Sequence, residues 1–207
     1  NHNEKVITIN DLLISSVFLS NIEEAKNHWD VRSAYSQEIG RALAFTKDKH
    51  ILQTIGQASL ASANVTGGEA GSTITNTGIA SATDATAANA MIDALFGAAK
   101  QLDANYVPSE GRKCFMRLEE YYKLANATNA INVDFSGRGS IAEGKVVKIA
   151  GIELVPVAHF VASNVNSGVD QGSATAGGSN PQAVNLTNYV ALVSHPSAVG
   201  TVKLMDL

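Results

Sequence analysis

No proline interrupts the chain between Asp30 and Ala63, and within that run Val31, Tyr35, Ile39 and Leu43 recur at every fourth position. Apolar residues at this spacing fall along one side of a helix, so the run predicts a helix that Asp30 can cap. Ile51, Leu52, Ile55 and Ala58 continue the stripe. At 1.5 Å per residue, roughly 30 helical residues extend on the order of 45 Å, longer than one small core would use. A chain with such an element is expected to be an elongated subunit or part of an assembly. Ile39, Leu43 and Ile55 are expected to face a sheet. Gly40, costly inside an ordinary helix, is expected to mark close approach of another backbone.

The remaining segments alternate between helix and strand signals. Val6 to Ile9 alternate as a strand does, and Asp11 to Leu19 is a short apolar stretch. Ser20 and Glu23 have capping-box spacing, which predicts a short helix over Asn21 to Asn27. Asn64 to Thr83 is rich in Gly, Ser, Thr, Ala and Asn and is expected to be a loop and a domain boundary. A third helix follows from about Thr86 to Leu102, with Met91, Ile92, Leu95, Phe96, Ala99 and Leu102 on its apolar face. Arg112 to Met116 predicts a buried strand, and Glu119 to Asn126 a short helix. Lys145 to Ile149 and Ile152 to Ala158, joined at Ala150-Gly151, form the clearest hairpin signal. Asn164 to Asn185 is again Gly, Ser, Ala and Asn and is expected to be a surface loop. Tyr189 to Ser194 and Gly200 to Leu207 predict two late strands that return near the first. The order is mixed α+β.

Composition narrows the function. With 207 residues and 45% hydrophobic content the chain can bury a core. Its net charge of −4 lacks the basic excess that neutralising nucleic-acid phosphates requires, so tight DNA or RNA binding is not expected. The longest apolar run, Ile152 to Val161, is far shorter than the roughly 20 residues a membrane-spanning helix needs, and Glu153 and Pro156 interrupt it. One cysteine, Cys114, fits a reducing cytoplasm and a buried thiol. The start at Asn1 does not read as a secretion or transit signal, and the strand-like Val199 to Leu207 stops abruptly. These ends are expected of part of a longer polypeptide.

Catalysis would need convergent titratable groups. His2, His28, His50, His159 and His195 are scattered and lack metal-ligand spacing, so no metal site is expected. Cys114, within Arg112-Lys113-Cys114-Phe115-Met116, is expected to fill a core and not to act as a nucleophile. Glu23-Glu24 and Glu119-Glu120 sit on helix first turns, where carboxylates favour the positive end of the helix dipole. Thr66-Gly67-Gly68 and Ala176-Gly177-Gly178 lack a phosphate-binding pattern and read as loops. The sequons at Asn64, Asn126 and Asn185 are expected in a chain this rich in Asn and Thr and are taken as unmodified. Tyr121-Tyr122 is expected to be exposed and, with Trp29, could anchor a protein contact; Trp29 could equally pack on the long helix. No catalytic, cofactor-binding or metal residue is expected.

The residues carry a further signal. Asp30-Val31-Arg32-Ser33 leading into Gly40-Arg41-Ala42-Leu43-Ala44, after Asn27-His28-Trp29, closely resembles the start of the long spine helix in capsid proteins of short-tailed phages. Asn132 to Gly137, Gly144 to Val147 and Ile149 to Ile152 resemble the hairpin of the same family's axial domain. Ser194-His195-Pro196-Ser197-Ala198-Val199-Gly200-Thr201-Val202-Lys203-Leu204 is similar to the segment by which T7-type capsid proteins return to the peripheral domain. The matches keep their order and cover most of the chain; the loops at Asn64 to Thr83 and Asn164 to Asn185 are least like the family.

The resemblance implies the Hong Kong ninety-seven type capsid fold, with a peripheral domain built on the spine helix and a sheet, and an axial domain. It implies a peripheral part over residues 1–83, an axial part over 84–194 and a return strand over 195–207, with the arm and most of the extended loop lying before Asn1. Identical subunits in hexameric and pentameric capsomers are the expected partners, with scaffolding protein and portal during assembly and weak contact to packaged DNA. The expected location is the virion, assembled in a bacterial cytoplasm. Two rival readings stand beside it. A phage or bacterial surface module that binds glycans or protein would also use polar loops on strands. An enzyme using Cys114 or a histidine would lose turnover on Cys114→Ala.

Overall fold

The computed structural model describes residues 13–20, 26, 31–63, 67–126, 138–140, 145–160, 162, 164–165 and 182–202. The expected strand at Val6 to Ile9, Trp29, and most of the short helix at Asn21 to Asn27 lie outside them, as do Asn132 to Gly137 and most of the loop from Asn164 to Asn185. Leu13 to Ser20 forms neither helix nor strand.

The long helix is present as α1, Val31–Leu60. It buries far less of itself than its stripe predicts. Leu52, Gln53, Ile55 and Gly56, all in its last third, are its buried residues, whereas Ile39 and Leu43 are only half-buried. Gly40 is exposed with open space where a Cβ would stand, so no backbone among the described residues approaches it. A close approach occurs instead at Gly56, and there it is of side chains, an added Cβ sitting 2.9 Å from Leu186 Cδ2. The four-residue spacing shows that one side of the helix is apolar but not how much of its length meets a neighbour within the chain.

After α1 the chain folds back on it. Gly71 N–H donates to Ala61 O at 3.0 Å, and a Cβ on Gly71 would run into the carbonyl oxygens of Ala58 and Ser59, so only glycine fits there. The expected loop contains a short 3-10 helix, Thr77–Ala80, capped by Asn76, whose Oδ1 accepts from Gly78 N–H and whose Nδ2 donates to Ala90 O. Helix α2, Asp84–Ala104, follows with Asp84 in its first turn. Ala87, Ala88 and Ala90 let the 3-10 helix pack closely, and Met91, Leu95 and Ala99 form the core-facing stripe. Phe96, expected on that stripe, points outward instead.

The strands form one mixed sheet. They are β1, Lys113–Arg117; β2, Arg138–Ser140; β3, Lys145–Ile149; β4, Ile152–Val157; and β5, Ala191–Ser194, in the order β2-β3-β4-β1-β5. Helix α3, Leu118–Ala125, leaves directly from β1. The hairpin turns where expected, because Ala150 and Gly151 both adopt positive φ, 50° and 79°, which matches the twist of the flanking strands. β1 runs parallel to β4 and antiparallel to β5. Alternation along β1 sends Cys114 and Met116 to one face, where Met91, Leu95, Leu124, Ile152 and Leu154 complete a core. Phe115 faces the other side, with Ile55, Val184, Leu186 and Leu192. Helices α2 and α3 thus cover one face and the end of α1 covers the other, a layered α+β arrangement. The late strand β5 pairs with β1, and the other expected late strand is not formed over Gly200 to Val202; its remainder lies outside the described residues.

Candidate assembly interface

Among the described residues no His, Cys, Asp and Glu side chains gather into a catalytic or metal-binding group. Cys114 is fully buried in the core beneath α2, and burial pushes its thiol up to about 12, far above where a thiolate nucleophile would form. His159 stacks edge-on to Phe45 with ring centroids 5.7 Å apart, 3.9 Å from Asp48. His195 caps the 3-10 helix Pro196–Ala198, its Nδ1 accepting from Ser197 N–H at 3.2 Å. His2 and His28 lie outside the described residues, and among the described ones no three His, Cys, Asp or Glu side chains gather as a metal site. Glu119 pairs with Lys123 at 3.1 Å, a contact that holds its carboxyl below the usual range, and Glu120 is buried 3.5 Å from the same ammonium. The sequon at Asn185 is a local turn, its Oδ1 accepting from Thr187 N–H and hydroxyl. No helix of the described chain is long and apolar enough to cross a membrane.

What the fold leaves unfinished is apolar surface. Leu13 to Ser20 holds Ile14, Val17 and Phe18 in the open, Phe18 at 92% exposure. Tyr35 and, beside His159, Phe45 are each about half exposed on α1, and Phe96 is exposed on α2. On α3, Leu118 and Tyr122 share an outer side. The tyrosine pair, expected to be exposed together, is split: Tyr121 is buried in the core and meets Tyr122 edge-on at 5.7 Å, while Tyr122 stays in solvent. One exposed Leu or Phe needs no explanation, but several elements carrying them together is how interaction surfaces look.

The end of α2 was not legible as a site, although Pro108 just beyond it is a common stop signal. Tyr106 N–H donates to Asp103 O at 3.1 Å and Val107 N–H to Leu102 O at 3.0 Å, the Schellman closure. Its left-handed position, usually glycine, is Tyr106 at φ 55°. Arg112, just before β1, fastens the turn. Its Nη2 donates to Asp103 Oδ1 at 2.6 Å and to Val107 O at 2.5 Å, and its Nε donates to Pro108 O at 2.9 Å. The Arg112 side chain is 3% exposed, and these acceptors are what make burying its charge tolerable.

A family model described as Gp10A-like major capsid protein matches residues 1–207. The major capsid protein of Escherichia phage T7 is 33% identical over 219 residues, which cover 100% of this chain and 63% of that protein. The chain therefore spans less than two thirds of that relative. The structure superposes on the capsid structure of the cyanophage P-SCSP1u with a TM-score of 0.71 and 37% identity, over 89% of this chain and 56% of the other. The asymmetric unit of the bacteriophage PhiM1 mature capsid gives a TM-score of 0.66 at 20% identity, over 86% and 53%, a likeness of fold.

Proposed function

Because the chain belongs to the Gp10A-like family of major capsid proteins and has the Hong Kong ninety-seven type fold, we propose that it assembles with copies of itself into the shell of a phage head. On this reading the copies form hexamers and pentamers of an icosahedral container around double-stranded DNA. The family match across residues 1–207 carries the proposal, and the bare apolar side chains of α1, α2 and α3 support it. A closed shell made of one chain requires each subunit to present surfaces that its siblings complete. The same match favours this reading over a glycan-binding surface module. The function is architectural and not enzymatic.

The remaining parts of the reading follow from the same premise. Residues 1–83 form the peripheral part with the spine helix, 84–194 the axial part, and 195–207 the return to the periphery. Scaffolding protein and a portal take part during assembly, and the finished subunit resides in the virion. Its contact with packaged DNA is weak, since a net charge of −4 provides no counterion-releasing grip. The test is expression of the full-length protein, with scaffolding protein if required, followed by negative-stain microscopy. Closed shells are expected. A discrete monomer or trimer that binds glycans would overturn the proposal, and a tight, salt-dependent complex of the subunit with DNA would overturn the weak-contact part of it.

A further inference from the structure

Several turns of the described chain are tied by one kind of short bond, a side chain that accepts from the backbone N–H two residues on. Asn76 does so for Gly78 at 3.0 Å, Ser81 for Thr83 at 3.2 Å and Asn185 for Thr187 at 3.1 Å. Those acceptors are amide and hydroxyl oxygens, which do not titrate near neutral pH. The turn after β5 uses His195 instead, whose Nδ1 accepts from Ser197 N–H at 3.2 Å and meets Ser197 Oγ at 2.7 Å. An imidazole nitrogen accepts only while it carries no proton, so this bond exists only in the neutral ring with its hydrogen on Nε2.

The turn sits where the sheet passes the chain on. β5 ends at Ser194, His195 caps Pro196–Ala198, and Ala198 N–H donates to His195 O at 2.9 Å. Val199, directly after the turn, packs against the cluster of Ile55, Val184, Leu186 and Leu192 beneath the end of α1. On its other side the turn rests on the loop before β1, where a Cβ built on Gly111 would lie 3.6 Å from Pro196 Cδ and 3.8 Å from His195 Nε2. The closed turn therefore sets how the chain runs from β5 to the α1 contact.

We propose that His195 is a proton-sensitive hinge: its neutral ring closes the turn between β5 and Val199, and protonation opens the turn and loosens Val199 from the cluster beneath α1. The sign follows from the bond. A second ring proton occupies the lone pair that Ser197 N–H uses, so the closed turn weakens as pH falls through the range of about 8 to 5 in which histidines change charge. The Ser197 hydroxyl can turn to accept from the new N–H, but the Ser197 amide then loses its acceptor. Few charged groups surround the ring. From β1, Lys113 stands beside Ser194 and pairs with Glu153 of β4 at 3.7 Å. In the loop before β1, Glu110 is exposed and Arg112 is committed to Asp103, Val107 and Pro108. Residues 51–60 of α1 and residues 196–200 carry no charged side chain. No carboxylate among the described residues thus pairs with the ring to favour its proton in the closed turn. The residue is partly exposed, so protons reach it from solvent. The hinge belongs to the single chain and does not depend on assembly.

Hydrogen exchange of single amides tests it, followed by NMR on the unassembled full-length protein at about pH 7.5 and about pH 5 and corrected for the intrinsic pH dependence. Ser197 and Ala198 should lose protection about fivefold at the lower pH, the size expected for loss of a cap. Thr187, capped by the amide oxygen of Asn185, should keep its protection and serves as the internal reference. His195→Asn supplies the acceptor that Asn76 and Asn185 already provide elsewhere, so it should hold both amides closed at both pH values. His195→Ala should leave them open at both. NOEs from the Val199 methyls to the cluster beneath α1 should weaken at the lower pH in the unsubstituted protein and not in His195→Asn. Equal protection of Ser197 at the two pH values, or the same fall in His195→Asn, would overturn the hinge. A fall at Thr187 as large as at Ser197 would also overturn it, because the change would then be global. Val199 NOEs that stay constant while the turn opens would overturn its coupling to α1.

Discussion

Arg112 is the side chain on which the order of the α2 end depends, because its planar fork reaches a carboxylate and two carbonyls at once. An ammonium is a single point donor and cannot reproduce that geometry, so Arg112→Lys should destabilise the subunit by about 1.5–3 kcal/mol, measured by urea denaturation. An unchanged midpoint would show the clamp to be dispensable. Gly71→Ala should be worse than any ordinary Gly→Ala change, because its Cβ meets backbone carbonyl oxygen and not a movable side chain. Cys114 gives a pH signature. Burial raises its folded pKa to about 12 from 9.0, so the unfolded thiol loses its proton first as pH rises. Below pH 9 both states hold the proton and stability is unaffected; between 9 and 12 stability should fall, and Cys114→Ala should flatten that fall. The core role of Cys114 was legible from its apolar neighbours. Tyr106 was not, since left-handed backbone is announced in sequence by glycine, and here a tyrosine carries it.

At the scale of the elements, the hairpin and the helices could be read from the sequence because local rules decide them. Ala150-Gly151 sits between two strand-like runs, and the apolar stripe of α2 fixes its type and its inner face. What could not be read was how much of α1 is covered. Helical spacing is set within the element, but burial is set by what else the chain lays against it. Only the last third of α1 meets the loop around Val184 and Leu186. Leu43, expected in the core, is half-buried; Leu43→Ala should therefore cost less than the roughly 2–5 kcal/mol of a full core truncation. Leu124, with no exposure, should reach that range. Thermal melts of the two variants test the contrast, and equal losses would contradict the placement of α1. Phe96 teaches the same point on α2: a stripe drawn one residue too wide includes a side chain that the folded chain leaves outside.

For the whole molecule, the family was legible in ordered short motifs, whereas the exposed apolar surfaces on which the proposed assembly rests were not. Those surfaces are apolar residues on α1, α2 and α3 that stand in solvent in the folded chain, and two of them, Tyr35 and Phe96, lie on stripes that the sequence marks as apolar helix faces. Their exposure makes physical sense once copies supply the missing half of each contact, and it would be a solubility burden in a solitary protein. A cryo-microscopy reconstruction of particles made from the full-length protein tests this most directly. The account predicts closed shells in which Tyr35 and Phe45, 45% and 48% exposed on α1 in the single chain, lie against neighbouring subunits. Shells in which both rings still face solvent, or a protein that stays monomeric at every concentration, would contradict it.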